Sequence, residues 1–246
     1  MATSLSLISL NCEGSKHLDL IFPFLKARQP DVICLQEFFA RDIPQFEDQL
    51  GVKVAFAPFC NVVTANQYGI EPAGLWGVAL LTRLPIPNIT ANYYVGTANQ
   101  IPEFVDGHPN SVNRAVLSGV ITKDEQTYQI ATTHFTWTPD GKTNDQQRTD
   151  LPKLVSALDE LDEFVLCGDL NAPRGEEAFA HLSQKYTDQV PPEVRTTIDG
   201  ERHYAGNLEV VVDALLTTRA YTAKKVGVVS GVSDHCAIVG EIIKVT

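Results

Sequence analysis

Residues 164 to 171 read Phe-Val-Leu-Cys-Gly-Asp-Leu-Asn, an apolar run that stops at a glycine and is followed by two polar side chains. A short apolar run bounded by a structure-breaking residue is typical of a buried strand. Gly168 permits a turn that brings the backbone close to a ligand. Beyond it, alternation across the pleat would place Asp169 and Asn171 on the same side. Two interpretations stay open: an Asx turn between strand and helix, and a site where an acid and an amide act together.

The composition describes a chain that can bury a large core and carries excess acid. Of its 246 residues, 44% are hydrophobic, and the formal net charge is -11. No shift in composition marks a linker, which predicts a single domain over residues 1–246. The negative charge disfavours nonspecific binding of polyanions, because the field of the protein would repel phosphates. It does not exclude a phosphate substrate, since acids that surround a divalent cation contribute to the same charge.

Targeting and membrane signals are not found in the sequence. Residues 1–10 lack a basic region followed by a long apolar stretch, and they alternate like a strand. No run approaches the length that crosses a bilayer. Five cysteines are scattered without a paired zinc spacing: Cys12, Cys34, Cys60, Cys167 and Cys236. This pattern is typical of buried thiols in a reducing compartment and predicts a cytoplasmic protein.

Short apolar strands outnumber helices along the chain. Strands are predicted at residues 5–10, 31–37, 77–86 (strand, turn, strand), 115–121 and 128–134 (a hairpin), 164–167, 210–216 and 236–243. Helices are predicted at 18–25, with Pro23 in the first turn or at a kink, at 151–161, capped by Thr149 or Asp150 with Pro152 in the first turn, and at 175–186. Because strands and helices do not alternate strictly, the pattern favours two packed β-sheets with helices outside over one doubly wound sheet.

Polar residues with useful chemistry lie at the ends of many of these strands. They are Asn11, Glu13, Glu37, His134, Asp169, Asn171, Asp213, Asp234 and His235. Chance loop residues would include more serine, lysine and threonine. Acids, amides and imidazoles at so many separate strand ends therefore predict one cleft at one edge of the sheets.

Six segments, in order, resemble the motifs of the endonuclease/exonuclease/phosphatase superfamily, which includes pancreatic DNase, abasic-site endonucleases, tyrosyl-DNA phosphodiesterases, sphingomyelinases and inositol-polyphosphate 5-phosphatases. The segments are Leu-Asn-Cys-Glu-Gly, Leu-Gln-Glu, Gly-Val-Ala-Leu-Leu-Thr-Arg-Leu-Pro-Ile, Thr-His-Phe, Gly-Asp-Leu-Asn and Ser-Asp-His. They are collinear and lie between residues 5 and 243. The resemblance implies an α/β (α+β) fold, a four-layered DNase I-like sandwich, and a divalent metal, Mg²⁺ or Mn²⁺.

Candidate metal ligands follow from the chemistry of hard cations together with this resemblance. Glu37 is the first choice, because Mg²⁺ prefers carboxylate oxygen and few protein ligands besides water. Asn11 and Glu13 occupy the positions of the family's Asn-x-Asp pair. Glutamate is one methylene longer than aspartate, so direct ligation by Glu13 stays open. Asp234 is a further ligand, either direct or through a neighbouring group.

Candidate catalytic residues come from the later segments. Asp169 would orient or deprotonate the attacking water, and Asn171 would hold that water or a phosphate oxygen. His235 would donate to a phosphoryl oxygen, which requires an imidazole oriented by a carboxylate. Asp213 is the expected partner, because its strand resembles the one that carries such an aspartate in the family.

Two further residues have competing interpretations. His134 ends a strand, where a packed histidine is common, but its Thr-His-Phe context favours a catalytic role. Arg114 is a candidate phosphate clamp, because a guanidinium binds phosphate oxygens with two hydrogen bonds, and a surface salt bridge is the alternative. For the aromatic residues near the loops, ordinary packing is favoured over contact with substrate: Trp76, Trp137, Tyr93, Tyr94 and Phe104.

The sequence thus predicts metal-assisted hydrolysis of a phosphate ester by in-line attack of water. A phosphodiester of nucleic acid, or a nucleic-acid adduct, is the first substrate expected. The alternatives are a phosphatase or phosphodiesterase for a small-molecule or lipid headgroup phosphate, and, from another class, an inactive binding module with the same fold. No protein partner is predicted.

Overall fold

A computed structural model describes residues 3–245, and within them twelve strands form two sheets. The strands are β1 (Ser4–Asn11), β2 (Val32–Phe39), β3 (Lys53–Val62), β4 (Gly74–Thr82), β5 (Asn88–Val95), β6 (Arg114–Lys123), β7 (Gln126–His134), β8 (Val165–Asp169), β9 (Thr187–Asp188), β10 (Asp213–Thr217), β11 (Tyr221–Val229) and β12 (Ala237–Lys244). The α-helices are α1 (Leu18–Arg28), α2 (Ile43–Leu50), α3 (Asp145–Asp159) and α4 (Glu177–Lys185), and a 3-10 helix spans Ala40–Asp42. No helix of the described residues is long and apolar enough to span a membrane. The predicted strand at residues 5–10 lies in β1, and Met1 and Ala2 lie outside the described residues.

Each sheet has six strands and is mixed. The first sheet has the order β11-β12-β1-β2-β4-β3, and the second has the order β5-β6-β7-β8-β10-β9. One central pair in each sheet is parallel, β1 with β2 and β7 with β8, while the other pairs are antiparallel. The predicted pair of packed mixed sheets is confirmed.

Apolar side chains fill three separate layers of the fold. Between the sheets, buried residues such as Leu7, Val78 and Cys167 pack together. Helices α1 and α2 cover the outer face of the first sheet, and α3 and α4 cover that of the second. The central strands are therefore apolar on both faces, as expected of sheets covered on both sides. The result is a four-layered arrangement of helices, sheet, sheet and helices.

The topology brings the polar strand ends to one edge of the sandwich. Because β1 and β2 are parallel, they end on the same side. Strand β12 is antiparallel to β1, with Ile238 opposite Ser9, so its beginning lies beside the end of β1. In the second sheet, parallel β7 and β8 end together, and Asp213 at the start of β10 is opposite Asp169. The predicted polar residues at these strand ends thus lie at one edge of the sandwich.

Helix α3 begins earlier than the sequence predicted. Its N-cap is Asn144, whose side chain accepts a hydrogen bond from the backbone N–H of Gln147 at 2.9 Å. The prediction of Thr149 or Asp150 as N-cap is wrong, because the polar first two turns hid the start of the helix. Pro152 is consequently the eighth residue of α3, inside the helix instead of in its first turn. Pro23 is the sixth residue of α1.

Other differences concern elements with weak patterns. After β4, the next strand begins at Asn88, so Ile86 lies in the connection instead of in a strand. Strands β3 and β11 were not predicted, because Pro58 interrupts β3 and β11 is mostly partly exposed, with two lysines at its centre. Helix α2 is only eight residues long. Of the elements in this part of the fold, only β4 bears on the site, because it pairs with β2.

Candidate functional site

Glu37 reaches the site because strand β2 is irregular at this point. The pairing of β2 with β4 shifts between Leu35 and Phe38, and Glu37 itself has a φ of 58°. Such a β-bulge redirects a side chain that regular pleating would place elsewhere. The neighbouring Gln36 stays between the sheets, where its Nε2 donates to Thr132 Oγ1 at 3.0 Å. Two adjacent polar residues thus have separate tasks, one in the core and one at the edge.

Asn11 connects the acids of the two sheets. Its buried amide Nδ2 donates to Glu37 Oε1 and to Asp169 Oδ2, both at 3.1 Å. Its Oδ1 accepts from the backbone N–H of Glu13 at 3.1 Å. An amide that donates to two carboxylates stabilises both as anions and holds them in place. Glu37 and Asp169 therefore face the same space, from different sheets.

Asp169 and Asn171 combine the two interpretations that their sequence left open. Strand β8 ends at Asp169, and the backbone N–H of Asn171 donates to Asp169 Oδ1 at 2.7 Å, which is an Asx turn. Leu170 is fully buried. The amide Nδ2 of Asn171 donates to the carbonyl of Phe135 at 3.0 Å. The turn leaves Asp169 Oδ2 directed toward Asn11, so the same residues form a turn and a cluster.

His235 and Asp213 form a buried pair. The ring Nδ1 of His235 lies 2.8 Å from Asp213 Oδ2, and its Nε2 lies 3.9 Å from Asp169 Oδ2. Burial alone would lower the pKa of His235, but the carboxylates of Asp213 and Asp169 raise it well above its ordinary value. Conversely, burial raises the pKa of Asp213. We describe the pair as an imidazolium held by an aspartate, because three carboxylates, those of Asp213, Asp169 and Asp234, favour the charged ring.

Asp169 is held as an anion by the same neighbours. Burial alone would raise its pKa, but His235 and His134 lower it below the usual range of an aspartate. The backbone N–H of Asn171 acts in the same direction. A carboxylate with a low pKa is ionised at every physiological pH, and it can accept a hydrogen bond from a water molecule at all times.

His134 lies beside Asp169 and Glu37, and Trp76 packs against its ring. Its Nε2 is 3.4 Å from Asp169 Oδ2 and 3.9 Å from Glu37 Oε1, and Trp76 packs edge-on against its ring at a centroid distance of 5.6 Å. Burial lowers its pKa. Within residues 3–245, its buried Nδ1 has no hydrogen-bond partner. Arg114 donates from Nη1 to the carbonyl of His134 at 2.9 Å.

Arg114 does not present its guanidinium to solvent. The residue is 2% exposed, its Nη2 donates to Asn110 Oδ1 at 3.2 Å, and its guanidinium lies over the ring of Phe59. These contacts hold the start of strand β6 to the end of β7 and to Asn110. They lend no support to a phosphate clamp, and the alternative of a surface salt bridge also does not match them.

Glu13 turns its carboxylate to its own loop. One oxygen pairs with Lys16 and the other lies 2.9 Å from His17 Nε2. A small cavity of about 30 Å³ separates it from Glu37 and is lined also by Tyr68 and Glu71. Glu13 thus lies at the rim of the site, across this cavity from Glu37.

Asp234 brings a further acid to the same edge, and beside it lies a residue that the sequence reasoning missed. Asp234 is 8% exposed, and burial raises its pKa. A ring nitrogen of His203, a carboxylate oxygen of Asp234 and a ring nitrogen of His235 all lie within 4.8 Å of one another. His203 lies in a polar loop without a strand end or motif, so no signal in the sequence distinguished it.

The donor set fits a hard divalent cation. Burial and the nearby carboxylate of Asp234 together raise the pKa of Glu37 to about 7, although the hydrogen bond from Asn11 acts in the opposite direction. Carboxylate oxygens of Asp169 and Asp213 and a ring nitrogen of His235 lie within 4.8 Å of one another, and of these three groups only the carboxylates are metal donors while the ring is charged. Several buried carboxylates with one imidazolium leave excess negative charge, which a divalent cation compensates. Oxygen donors of this kind are those that Mg²⁺ and Mn²⁺ prefer.

Backbone geometry also marks this edge as unusual. Eight non-glycine residues among residues 3–245 have positive φ, and three of them are predicted site residues: Glu13 at 48°, Glu37 at 58° and Asn171 at 47°. Side chains with a Cβ rarely adopt this conformation, and such strain concentrates at functional sites. The structure therefore brings together Asn11, Glu37, His134, Asp169, Asn171, Asp213, Asp234 and His235, with Glu13 at the rim and Arg114 behind His134.

The fold and the family match together define the class of protein, which is a metal-dependent phosphoric ester hydrolase. Residues 8–235 match the family model of the Endonuclease/Exonuclease/phosphatase family. The chain belongs to that family, and the resemblance stated from its motifs is confirmed. No curated protein gives a significant match to the sequence.

Solved structures of the same fold cover nearly the whole chain at low identity. The human Nocturnin catalytic domain with bound sulfate has a TM-score of 0.72 and 17% identity, over 98% of this chain and 94% of that chain. The mannosyl-6-phosphatase of Bacteroides thetaiotaomicron has a TM-score of 0.73 and 13% identity, over 98% and 100%. TDP2 of D. rerio, complexed with a single strand DNA product, has a TM-score of 0.68 and 15% identity, over 98% and 99%. At these identities the likeness shows the fold.

Proposed function

We propose that this edge of the sandwich hydrolyses phosphate esters with Mg²⁺ or Mn²⁺, and that a phosphodiester of nucleic acid or of a nucleic-acid adduct is its first candidate substrate. The proposal rests on one observation, which is that the amide of Asn11 binds a carboxylate from each of the two sheets. Asn11 donates to Glu37 and to Asp169, and Asp169 lies beside the His235–Asp213 pair. A metal-binding acid, a water-binding acid and an imidazolium are thus held in fixed positions.

His235 and Asp169 have complementary roles in the proposed reaction. The imidazolium of His235 donates from Nε2 to a phosphoryl oxygen, where negative charge grows in the transition state. Asp213 holds the other ring nitrogen and stabilises the charged ring. Asp169 accepts a hydrogen bond from the attacking water and orients it. Asn171, whose backbone fixes Asp169, contributes its side chain to hold that water or a phosphate oxygen.

Glu37, Asn11 and Asp234 are the residues that would hold the cation, with Glu13 acting from the rim. Bound there, a divalent cation supplies Lewis-acid stabilisation of charge on the phosphoryl and leaving oxygens. Asn11 keeps Glu37 oriented through its amide, so it is a positioning residue even where its own oxygen is occupied by the N–H of Glu13. Ionisation of Glu37 precedes binding, because only the carboxylate is a good ligand.

His134 and Arg114 act at different distances from the substrate. His134 Nε2 faces Asp169 and Glu37, which supports a role for it in contacting the bound phosphate. Arg114 fixes the carbonyl of His134 and is proposed as a positioning residue. Its expected role as a phosphate clamp is replaced by this support of the histidine.

Nucleic acid is the first candidate because a relative of the same fold, TDP2, was solved with a single strand DNA product. A second candidate, a small phosphate ester, is favoured by the charges at the rim. The cations Lys16 and Arg202 pair with Glu13 and Asp199 there, so they leave little free positive charge for a polyanion. The relative that is a mannosyl-6-phosphatase acts on a small phosphate of this kind.

The test is a panel of phosphate esters assayed with Mg²⁺, with Mn²⁺ and with EDTA. Bis-p-nitrophenyl phosphate, single-stranded DNA, 5′-tyrosyl DNA and sugar monophosphates cover both candidate classes. We expect turnover that EDTA abolishes and added metal restores. An absence of EDTA-sensitive turnover on the whole panel would contradict the proposal and favour the inactive binding module.

Metal binding is tested separately by calorimetric titration of Mn²⁺. Glu37→Gln should weaken binding at least about tenfold, because it removes a charged ligand and keeps the shape of the side chain. Glu47→Gln, in helix α2 where Glu47 pairs with Lys53, is the matched control and should bind like the wild type. Equal affinity in the wild type and Glu37→Gln would remove Glu37 from the proposed ligand set.

We also propose a cytoplasmic location. All five cysteines are free and buried in the structure, as the sequence predicted. Thiols in this state persist in a reducing compartment. Fluorescence microscopy of the tagged chain in its native host checks the proposal, and secretion to the medium or periplasm would contradict it.

A further inference from the structure

The loop over residues 199–207 is fastened directly to the segment that carries Asp234 and His235. The backbone N–H of Asp199 donates to the carbonyl of Asp234 at 2.8 Å, and the N–H of Cys236 donates to the carbonyl of Thr197 at 2.7 Å. Hydrogen bonds on both sides of His235 therefore set the position of this loop. The loop is part of the wall of the site, although it contains no motif.

The same loop is braced internally by the carboxylate of Asp199. Its Oδ2 accepts from Gly231 N at 2.6 Å and from Arg202 Nη1 at 3.1 Å, and its Oδ1 accepts from Glu201 N at 3.1 Å. The N–H of His203 donates to the carbonyl of Asp199 at 2.8 Å. These hydrogen bonds fix the backbone of the loop at His203, the residue that faces the site.

His203 is held in one tautomer and lies beside Asp234 and His235. Its Nδ1 accepts from the backbone N–H of Ala205 at 3.2 Å, so the neutral ring carries its hydrogen on Nε2. One of its ring nitrogens lies within 4.8 Å of an Asp234 oxygen and of a His235 nitrogen. Since Nδ1 is occupied by Ala205, Nε2–H is the group left to bind a ligand.

Tyr204 is the most exposed of the large hydrophobic residues in the part of the chain that the structure describes. It is 86% exposed, whereas the other exposed large hydrophobic residues there lie between 37% and 50%. One face of its ring packs on His203, with centroids 4.5 Å apart and planes 35° apart. The rest of the ring is open to solvent beside the site. A supported aromatic face of this kind is a platform for stacking a planar ring.

We propose that His203 and Tyr204 form a substrate-recognition pair: His203 donates from Nε2 to a phosphoryl oxygen, and Tyr204 stacks on a planar ring attached to the phosphate, such as a nucleoside base. The inference rests on the proposed function and deepens it by naming the class of substrate. Stacking needs no positive charge, which suits a chain with a formal net charge of -11 that repels polyanions.

Binding of two ligands separates the two roles without any turnover. In the presence of Mn²⁺, calorimetry with thymidine 5′-monophosphate and with inorganic phosphate compares a ligand that has the ring with one that lacks it. Tyr204→Ala should weaken thymidine 5′-monophosphate about tenfold and leave phosphate unchanged, and Tyr204→Phe should bind both like the wild type. His203→Ala should weaken both ligands, and His203→Gln, which keeps a donor at a similar reach, should restore much of the loss.

Several outcomes would overturn the pair. These are no binding of thymidine 5′-monophosphate by the wild type, equal binding by the wild type and Tyr204→Ala, or equal weakening of both ligands by Tyr204→Ala. Because Tyr204 is exposed, its variants should fold normally, and circular dichroism checks this.

Kinetics distinguishes failure of this inference from failure of the proposed function. Thymidine 5′-(p-nitrophenyl) phosphate and methyl p-nitrophenyl phosphate release the same leaving group, and the first carries a nucleoside with the base that Tyr204 would contact where the second carries a methyl group. Tyr204→Ala should raise KM about tenfold for the first and leave the second unchanged. Metal-dependent turnover of both esters without this difference overturns the recognition pair alone. No turnover of either ester by the wild type counts against the proposed function, while the binding experiment still decides on the pair.

Discussion

Among single residues, Asp213 holds the ring of His235 through a hydrogen bond and favours its charged form. Asp213→Asn keeps the size of the side chain and removes the charge, so it should lower kcat/KM by about 10²-fold or more. The pKa of His235 should also fall, because Asp213 is the largest contribution that raises it. The alkaline limb of kcat/KM against pH should therefore move to lower pH.

The control for this variant is Asp188→Asn, which breaks an ion pair with Arg174 at the short strand β9. It should leave the pH profile of kcat/KM in place. If Asp213→Asn leaves both kcat/KM and its pH profile unchanged, the proposed role of the Asp213–His235 pair is wrong.

The sequence could identify most of these residues but not their geometry. Glu37 and His235 were recognised because they lie at the ends of predicted strands and within ordered motifs. The bulge that redirects Glu37 was not predictable, because it depends on the pairing of β2 with β4. The amide of Asn11 bridges acids from two sheets, which is a tertiary contact. His203 reaches the site only through the backbone bonds of its loop, so it could not be found.

At the scale of elements, strand β8 depends on a glycine that permits close approach to β7. A Cβ at Gly168 would lie 2.1 Å from the carbonyl oxygen of Thr133, and the φ of Gly168 is 148°. Gly168→Ala should therefore lower the free energy of unfolding by about 3 kcal/mol. Urea denaturation measures this change.

Gly227→Ala is the matched control, because its Cβ would meet only ordinary contacts and its φ is not positive. We expect its stability to stay within about 0.5 kcal/mol of the wild type. Equal stability of the Gly168 and Gly227 variants would refute the steric reason for a glycine at the end of the apolar run of residues 164–168.

Element boundaries show where local pattern gives way to tertiary structure. The hairpin of β6 and β7 followed directly from two apolar runs and a polar turn. The start of α3 did not, because Asn144 caps the helix before its apolar stripe begins. Strand β11 is stabilised by its pairing with β12 more than by its own alternation, so its sequence gave too weak a signal.

At the scale of the whole molecule, the accumulation of acid predicts that stability depends on pH and metal. The pKa of Glu37 is raised from 4.5 to about 7 by burial. The folded state therefore holds this proton more tightly than the unfolded state does. The resulting stability is fully present below pH 4.5 and is lost as the pH rises through about 7.

The expected result is that Glu37→Gln is more stable than the wild type in EDTA at pH 8, by on the order of 2 kcal/mol, because one pKa unit corresponds to about 1.4 kcal/mol and the side chain is 22% exposed. At pH 4.5 the two should be similar. Added Mn²⁺ should stabilise the wild type and not the variant. Thermal unfolding measures all three. A wild type that is the more stable protein in EDTA at pH 8 would contradict this prediction.

The arrangement in two packed sheets was predictable because strands dominated and did not alternate with helices. The strand order was not, since parallel pairing of β1 with β2 and of β7 with β8 depends on long-range contacts. This order decides which strand ends meet. It explains why the polar residues could be gathered from the sequence while their distances required the structure.

The central claim is metal-assisted attack of water directed by Asp169. Its most direct test is the hydrolysis of bis-p-nitrophenyl phosphate with Mn²⁺ by the wild type and by Asp169→Asn, with and without EDTA. We predict EDTA-sensitive turnover by the wild type and a rate about 10³-fold lower for Asp169→Asn, at a similar melting temperature. Full activity of Asp169→Asn, or a wild-type rate that EDTA does not change, would contradict the account.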